Sequence, residues 1–177
     1  MMLKLVTPPS DPLVTADDLR AHLRVDGSDQ DAMIDVYRAA ALAMLDGWRG
    51  IMGRAIMPQT WSQEFDGWGD LRLAMPDVSA VRVAGFDADG GDVAATSADL
   101  VADARGSYVA ASGPAVSRVV VEFDCGLPAA SLPSVRVAVM MLVANWFTNR
   151  EATIAGSVSV LPFAVDCLID PLIWRQP

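Results

Sequence analysis

The sequence offers few residues that could perform acid–base or nucleophilic chemistry. His22 is the single histidine among 177 residues, so a site built from several histidine ligands is excluded. A Ser–His–Asp arrangement would have to use this one residue, and no G-x-S-x-G turn accompanies it. His22 lies between Ala21 and Leu23 in a predicted helix. A structural or surface histidine is therefore the simpler interpretation.

Asp87, Asp89 and Asp92 superficially resemble the start of a calcium loop. An EF-hand loop also needs an oxygen ligand at its fifth position and glycine at its sixth. The sequence has Gly91 and Asp92 at these places, so the pattern fails. The run DADGG is typical of a hairpin turn, because glycine tolerates the positive φ that tight turns require. The sequence predicts a solvated turn here.

The remaining polar residues of interest also have structural explanations. Asp26, Asp29 and Asp31 surround a predicted helix start, where carboxylates complement the helix dipole. Cys125 and Cys167 lack the C-x-x-C spacing of metal or redox sites. They are expected to be reduced, partly buried thiols in a cytoplasm. We therefore predict no catalytic residue, no cofactor and no metal.

The composition is that of a protein with a large core or with apolar surface that a partner covers. Hydrophobic residues make up 53% of the chain, and contiguous exposed apolar surface usually marks an interaction site. The net charge of -9 argues against wrapping nucleic acid, because such binding depends on Lys and Arg contacts with phosphates. The same charge suits a channel through which DNA slides. The first residues, MMLKLVTPPSD, lack the apolar region of a signal peptide.

The run from Pro133 to Glu151 is the segment around which the chain is expected to fold. It is apolar on every side, which is typical of a helix buried in a core or a membrane. Arg136 and Asn145 interrupt it, and its apolar part is shorter than the roughly 18 residues of a membrane span. We predict a central buried helix with Pro133 in its first turn. The predicted structural core includes Trp48, Leu142, Trp146 and Phe147.

Helices are predicted near residues 16–23, 30–52, 134–149 and 162–169. The first begins with a capping-box pattern, Thr15 followed by Asp18. In the second, apolar residues recur every three or four positions from Ile34 to Met52, which is the period of one helix face. Gly53 is the expected C-cap of this helix.

Apolar residues alternate between the second and the central helix, as they do in strands. The strongest strand candidate is Val116–Phe123, and shorter candidates lie near 59–66, 71–73, 78–86, 93–96, 100–102 and 108–110. We therefore predict an α+β fold that is mainly helical: a helical bundle around a central buried helix, with a small inserted antiparallel β-sheet. One domain, 1–177, is expected, with a helical core at 13–55 and 131–170, a β insertion at 56–128 and a tail at 170–177.

The order of these segments resembles a known family. The landmarks are LVTADDLRAHLRVD (13–26), MGRAIMPQTW (52–61), LAMPDVSAVRVAGFDADG (73–90), VVVEFDCGLP (119–128), LPSVRVAVMMLVANWFTNREA (132–152) and LPFAVDCLIDPLIW (161–174). Together they resemble the head–tail connector (adaptor) family, the gp6-like proteins of long-tailed phages and related gene transfer agents. The resemblance covers nearly the whole chain. The stretch Ile173-Trp174-Arg175 departs from the usual arginine-ended segment that follows the last helix.

This resemblance implies a structural role in the neck of a virion or gene transfer agent particle. The protein would be made in the cytoplasm of the bacterial host. Family members form a ring below the portal, extend the DNA channel and present a platform to the head-completion (stopper) protein or the tail. The implied partners are the portal protein, that next protein, and other copies of this chain in a cyclic ring of about twelve. DNA passes through without sequence-specific binding, and no membrane is involved.

The tail is the predicted portal-binding segment. Pro171 cannot continue the preceding helix, and Trp and Arg are enriched among binding hot spots. Family members commonly attach to the portal through their C-terminal segment. The predicted portal-binding residues are Leu172, Ile173, Trp174 and Arg175. In the alternative, Ile173 and Trp174 fold back onto the protein's own core.

Two other function classes remain open on the sequence. One is a small enzyme that uses Asp87, Asp89 and His22 in unrecognised roles. The other is a helical binding module that is monomeric in solution.

Overall fold

The computed structural model describes residues 2–149 and 163–175. Within them, eight strands and four α helices follow one another along the chain. They are β1 Leu3–Thr7, α1 Ala16–Leu23, α2 Asp31–Leu45, β2 Gln59–Phe65, β3 Gly69–Arg72, β4 Val78–Phe86, β5 Asp92–Val93, β6 Ser97–Asp103, β7 Gly106–Ser112, β8 Arg118–Cys125, α3 Leu132–Thr148 and α4 Phe163–Ile169. Short 3₁₀ helices occupy Ala129–Ser131 and Asp170–Leu172.

These elements form two compact units. The first unit comprises Met1–Ser10, Met57–Leu127 and Trp174–Pro177, and it holds the eight strands. The second comprises Asp11–Ile56 and Pro128–Ile173, and it holds the four helices. Among the described residues, 33% are helical and 30% lie in strands, which form two antiparallel sheets. The prediction of a mainly helical bundle with a small inserted sheet is therefore wrong, and the fold is a β-rich α+β fold.

Two strands account for much of this correction. The sequences of β6 and β7, SADLVAD and GSYVAAS, are rich in Ala, Ser and Asp. These residues have low β propensity, so the alternation is visible only around Leu100 and Tyr108. In the structure the two strands pair over their whole length, from Ser97 opposite Ser112 to Asp103 opposite Gly106. Cross-strand pairing therefore extends strands that the local sequence favours only at their centres.

The strand unit contains a five-stranded sheet with the order β1-β2-β8-β4-β5 and a three-stranded sheet with the order β3-β7-β6. The strand that the sequence favours most, β8, lies at the centre of the larger sheet. Its alternate side chains Val119, Val121 and Phe123 are completely buried, as the pleat of a half-buried strand requires. The N-terminal segment pairs as β1 with β2 and forms an edge of this sheet.

A buried glutamine holds β2 to the segment that follows β3. The Gln63 side chain is completely buried. Its Nε2 donates to the Arg72 carbonyl at 3.0 Å, and its Oε1 accepts from the Ala74 amide at 2.9 Å. Both ends of the amide thus have partners, which burial of a polar side chain requires.

The Trp68 ring lies over two glycines of the strand unit. A Cβ atom on Gly85 would lie 2.5 Å from this ring, and one on Gly113 would lie 3.0 Å from it. The indole Nε1 donates to the Pro114 carbonyl at 2.6 Å. The absence of side chains at the two glycines therefore creates the space that the tryptophan fills.

In the helix unit, α3 packs against α1, α2 and α4. One face of it is buried and consists of Val135, Ala138, Val139, Leu142 and Val143. On the other side Val137 is 40% exposed, so the burial expected of this helix is found on one face only. Helices α1, α2 and α4 therefore do not enclose α3. By length and composition alone, the segment Ala129–Thr148 is long and apolar enough to cross a membrane. This corrects the expectation that the apolar run is too short. Core helices of soluble proteins pass the same test.

The start of α1 confirms the capping box. The Asp18 amide donates to Thr15 Oγ1 at 3.1 Å, and the Thr15 amide donates to Asp18 Oδ2 at 3.0 Å. Asp18 also forms an ion pair of 2.6 Å with Arg136 of α3. The charge that interrupts the apolar run of α3 thus has its partner at the N-terminus of α1.

Helix α2 ends at Leu45, not at Met52, and this corrects the predicted boundary. The next residue, Asp46, is extended, and its Oδ1 accepts from the Ile56 amide at 2.7 Å. Gly47 has a φ of 78°, a conformation that glycine adopts at little cost. Met52 is still completely buried. The apolar period therefore continues through a turn that packs on the core, and Gly53 does not cap the helix.

Candidate functional site

The histidine, aspartates and cysteines considered in the sequence analysis are not brought together in the described structure. His22 is exposed on α1. Asp87 Oδ1 accepts from the amides of Asp89 and Gly91, at 2.9 and 2.8 Å, which confirms the turn between β4 and β5. Across residues 2–149 and 163–175, no group of three or more His, Cys, Asp or Glu side chains could hold a metal ion. Cys125 is buried and Cys167 exposed, and neither forms a disulfide.

The outer face of the five-stranded sheet carries a network of cross-strand ion pairs. The two Nη atoms of Arg82 on β4 each lie 3.0 Å from a carboxylate oxygen of Asp124 on β8, and Arg82 Nε lies 3.3 Å from Glu122. Thr60 Oγ1 of β2 donates to Asp124 at 2.6 Å. Arg82, followed by Thr60, lowers the pKa of Asp124 because both hydrogen bonds favour the ionised carboxylate.

A second pairing of this kind lies on the three-stranded sheet. Arg72 of β3 contacts both carboxylate oxygens of Asp103 on β6, at 3.0 and 2.8 Å, and its guanidinium lies 5.0 Å from the centre of the Tyr108 ring. Arg72 lowers the pKa of Asp103. These arginines are matched with carboxylates, so the faces that carry them are not the unpaired basic surface that phosphate binding needs.

The strand unit also contains a cleft of about 580 Å³ beside the ends of β2, β4 and β8. Hydroxyl and carboxylate side chains line it, among them Thr7, Thr60, Ser79, Asp77 and Asp124. No histidine, lysine or arginine belongs to its lining. This cleft can offer polar contacts through its hydroxyl and carboxylate groups.

The predicted portal-binding residues lie against their own chain. The Leu172 carbonyl accepts from Arg54 Nη1 at 2.9 Å. A Cβ atom on Gly106 would lie 2.9 Å from the Trp174 ring, which therefore covers the turn between β6 and β7. Leu172, Ile173 and Trp174 are half-buried, and Arg175 is exposed. The described tail thus has the packing expected of the alternative in which it folds back.

The four predicted core residues differ in burial. Leu142 is 1% exposed, whereas Trp146 and Phe147 are half-buried. The ring of Trp146 is tilted at 58° to that of Tyr37, with 6.4 Å between their centres. Trp48 is 40% exposed because the chain has left α2 before it, so its helical spacing no longer directs it to the core.

The outward side of α2 is an apolar surface that the sequence reasoning missed. Val36 is 64% exposed and Met33 37% exposed. Ala32, Ala39, Ala40 and Ala43 are exposed as well. A signal was available, because Met33 and Val36 are out of phase with the buried residues Ile34, Ala41 and Leu45.

Comparison with known proteins connects this fold to particle necks. No protein-family model and no curated protein matches the chain. A chain in the solved structure of the virion of a native gene transfer agent (GTA) particle is 27% identical, with a TM-score of 0.72, and the match covers 100% of this chain and 96% of that one. A chain in the neck of an empty GTA particle, computed with C6 symmetry, is 26% identical, with a TM-score of 0.73 and full coverage of both chains.

Proposed function

We propose that this chain is a structural protein of the neck of a gene transfer agent or a tailed-phage particle. The observation that carries this proposal is the likeness, over the whole chain, to chains of a GTA virion and a GTA neck.

Within the neck, we propose that the chain is the head–tail adaptor. It forms a cyclic ring of about twelve copies below the portal, extends the DNA channel, and joins the capsid to the stopper or tail protein. Support comes from the family landmarks in the sequence and from a GTA neck with cyclic symmetry among the similar structures. The net charge of -9 also suits a channel protein, because an acidic lumen repels the DNA backbone.

We further propose that the tail attaches this ring to the portal protein. Leu172, Ile173 and Trp174 keep part of their apolar surface exposed, and the exposed Arg175 follows them directly. Their contacts with Arg54 and Gly106 hold the segment in a defined conformation. Preorganisation of this kind reduces the entropy lost on binding.

The neck role is tested by locating the chain in purified particles. Cryo-electron microscopy of the neck should show density that fits both sheets and α3, adjacent to the portal. Deletion of the gene should leave DNA-filled heads that lack tails, because no adaptor joins the two. Particles that keep their tails, or a chain located anywhere other than the neck, would contradict the proposal.

A further inference from the structure

We infer that the outward face of α2 is the surface through which one copy of this chain contacts the next copy in the ring. The face is defined by Ala32, Met33, Val36, Ala39, Ala40 and Ala43, all of which are exposed. This inference rests on the proposed function and deepens it, because it names the surface that closes the ring.

The first argument is that this face of α2 carries no charge. A solvated helix normally places charged or polar residues opposite its buried stripe. The charged residues of α2 lie instead at its start and flank. Asp31 accepts from Arg20 of α1, and Arg38 lies 3.1 Å from Asp35 and donates to the Val14 carbonyl at 3.3 Å. Asp35 is exposed at the edge of the face and is paired with Arg38, whereas the line from Met33 to Ala43 carries no charge.

The second argument concerns the spacing of the face. Met33, Val36, Ala40 and Ala43 follow one another at intervals of three, four and three residues. This is the spacing with which one helix packs along another. The two larger side chains lie toward the N-terminus and the alanines toward the C-terminus, where a backbone can approach closely. The expected occupant is therefore a packed protein element, not a small ligand.

The third argument selects a second copy of this chain as that occupant. Each copy carries a net charge of -9, so two copies repel each other over most of their surfaces. A face without charge is where two such molecules can meet with little electrostatic cost. DNA is disfavoured there, because the face has no Lys or Arg to contact phosphates. Cyclic symmetry, as in the similar GTA neck, supplies a neighbour on each side of every subunit.

The size of the face indicates that it is the centre of a larger contact. Helix α2 has 15 residues, which makes it roughly 22 Å long. One helix face of this length provides less than the roughly 800 Å² per partner of a stable interface. In a cyclic ring the contact is heterologous, so the α2 face meets a different surface of the neighbouring copy.

The test introduces the photo-crosslinking residue benzoylphenylalanine at position 36 of the full chain and irradiates purified particles. The expected product is a covalent pair of two copies of this chain. A crosslink only to another neck protein, or no crosslink at all, would overturn the inference. The neck location of the wild-type chain is measured separately in the same particles, so failure of the proposed function and failure of the α2 contact give different results.

A pair of substitutions provides an independent readout. Val36→Glu should keep the melting temperature, because the residue is 64% exposed, and should reduce the number of copies per neck at least tenfold. Val36→Leu, which keeps the face apolar, should assemble like the wild type. Wild-type occupancy of Val36→Glu would refute the inference. If Val36→Glu does not fold, the crosslinked product decides.

Discussion

At the scale of single residues, Asp124 is the carboxylate on which the charges of the sheet's outer face converge. Arg82 and Thr60 lower its pKa in the folded protein below the ordinary value of 3.8. A lowered folded pKa stabilises the protein above the unfolded value, and this stability is lost as pH falls through the folded pKa. Asp124→Asn should therefore lower the melting temperature at pH 7. The difference from the wild type should shrink below about pH 4.

Thermal melts of both proteins between pH 2 and pH 8 check this expectation. Asp89→Asn is a matched control, because Asp89 is exposed in the turn and its carboxylate has no described ion pair. A constant difference between wild type and Asp124→Asn at every pH would show that the ion pair is not the cause. The effect should be small, since exposed ion pairs contribute less than about 1 kcal/mol.

A second prediction at the scale of single residues concerns the effect of a side chain at Gly85 on stability. A Cβ atom there would lie 2.5 Å from the Trp68 ring, and the ring is held by its hydrogen bond to Pro114. Gly85→Ala should therefore destabilise the protein by about 1–3 kcal/mol, the usual effect of overpacking. Chemical denaturation measures this change. Gly67→Ala is the control, because a Cβ atom there has no neighbour within 4 Å.

At the scale of elements, α3 has one buried and one exposed side, and apolar residues on the two sides should respond differently to truncation. Leu142 is 1% exposed and Val137 is 40% exposed. Leu142→Ala should cost about 2–5 kcal/mol, as cavities in a packed core do. Val137→Ala should cost less than about 0.5 kcal/mol in the isolated subunit. Urea denaturation compares the two, and equal effects would mean that the burial of α3 differs from that described.

Local signals explain which elements the sequence could predict. The start of α1 was predictable because Thr15 and Asp18, three residues apart, satisfy each other's backbone groups. The end of α2 was not, because Asp46 turns the chain by binding the amide of Ile56, ten positions further on. Strand positions were visible in the alternation, but their division into two sheets depends on pairing between distant segments.

Local sequence signals were also insufficient to predict the exposed apolar face of α2. The expectation of no catalytic residue rested on the single histidine and on spacings that suit turns. The outward face of α2 was harder to predict, because sequence periodicity ranks residues by hydrophobicity and does not show which of two apolar faces is covered. Val36 and Ile34 are both apolar, yet the first is 64% exposed and the second is completely buried.

At the scale of the whole molecule, the tail gives a prediction about attachment. Arg175→Glu should change the melting temperature only slightly, because Arg175 is exposed and the contacts of exposed charges contribute little to stability. It should weaken binding to portal-bearing heads at least tenfold, which corresponds to about 1.4 kcal/mol. Co-sedimentation with tail-free heads measures this binding. Lys4→Glu reverses an equally exposed charge on β1 and should bind normally.

A chain truncated after Asp170 extends this test to Leu172, Ile173 and Trp174. It should lose attachment to heads more completely than Arg175→Glu does. Its melting temperature should fall modestly, because the contacts with Arg54 and Gly106 disappear. If the truncated chain still joins the heads, the tail is not the portal anchor.

The strand order of the larger sheet also has a consequence for folding during synthesis on the ribosome. Its central strand, β8, is the last of its five strands in the sequence. At translation rates of about 5–20 residues per second, β2 and β4 leave the ribosome seconds before the strand that joins them. During this interval both present open edges, which favour aggregation. Chaperone binding to nascent chains is therefore expected to persist until Cys125 emerges, and then to fall.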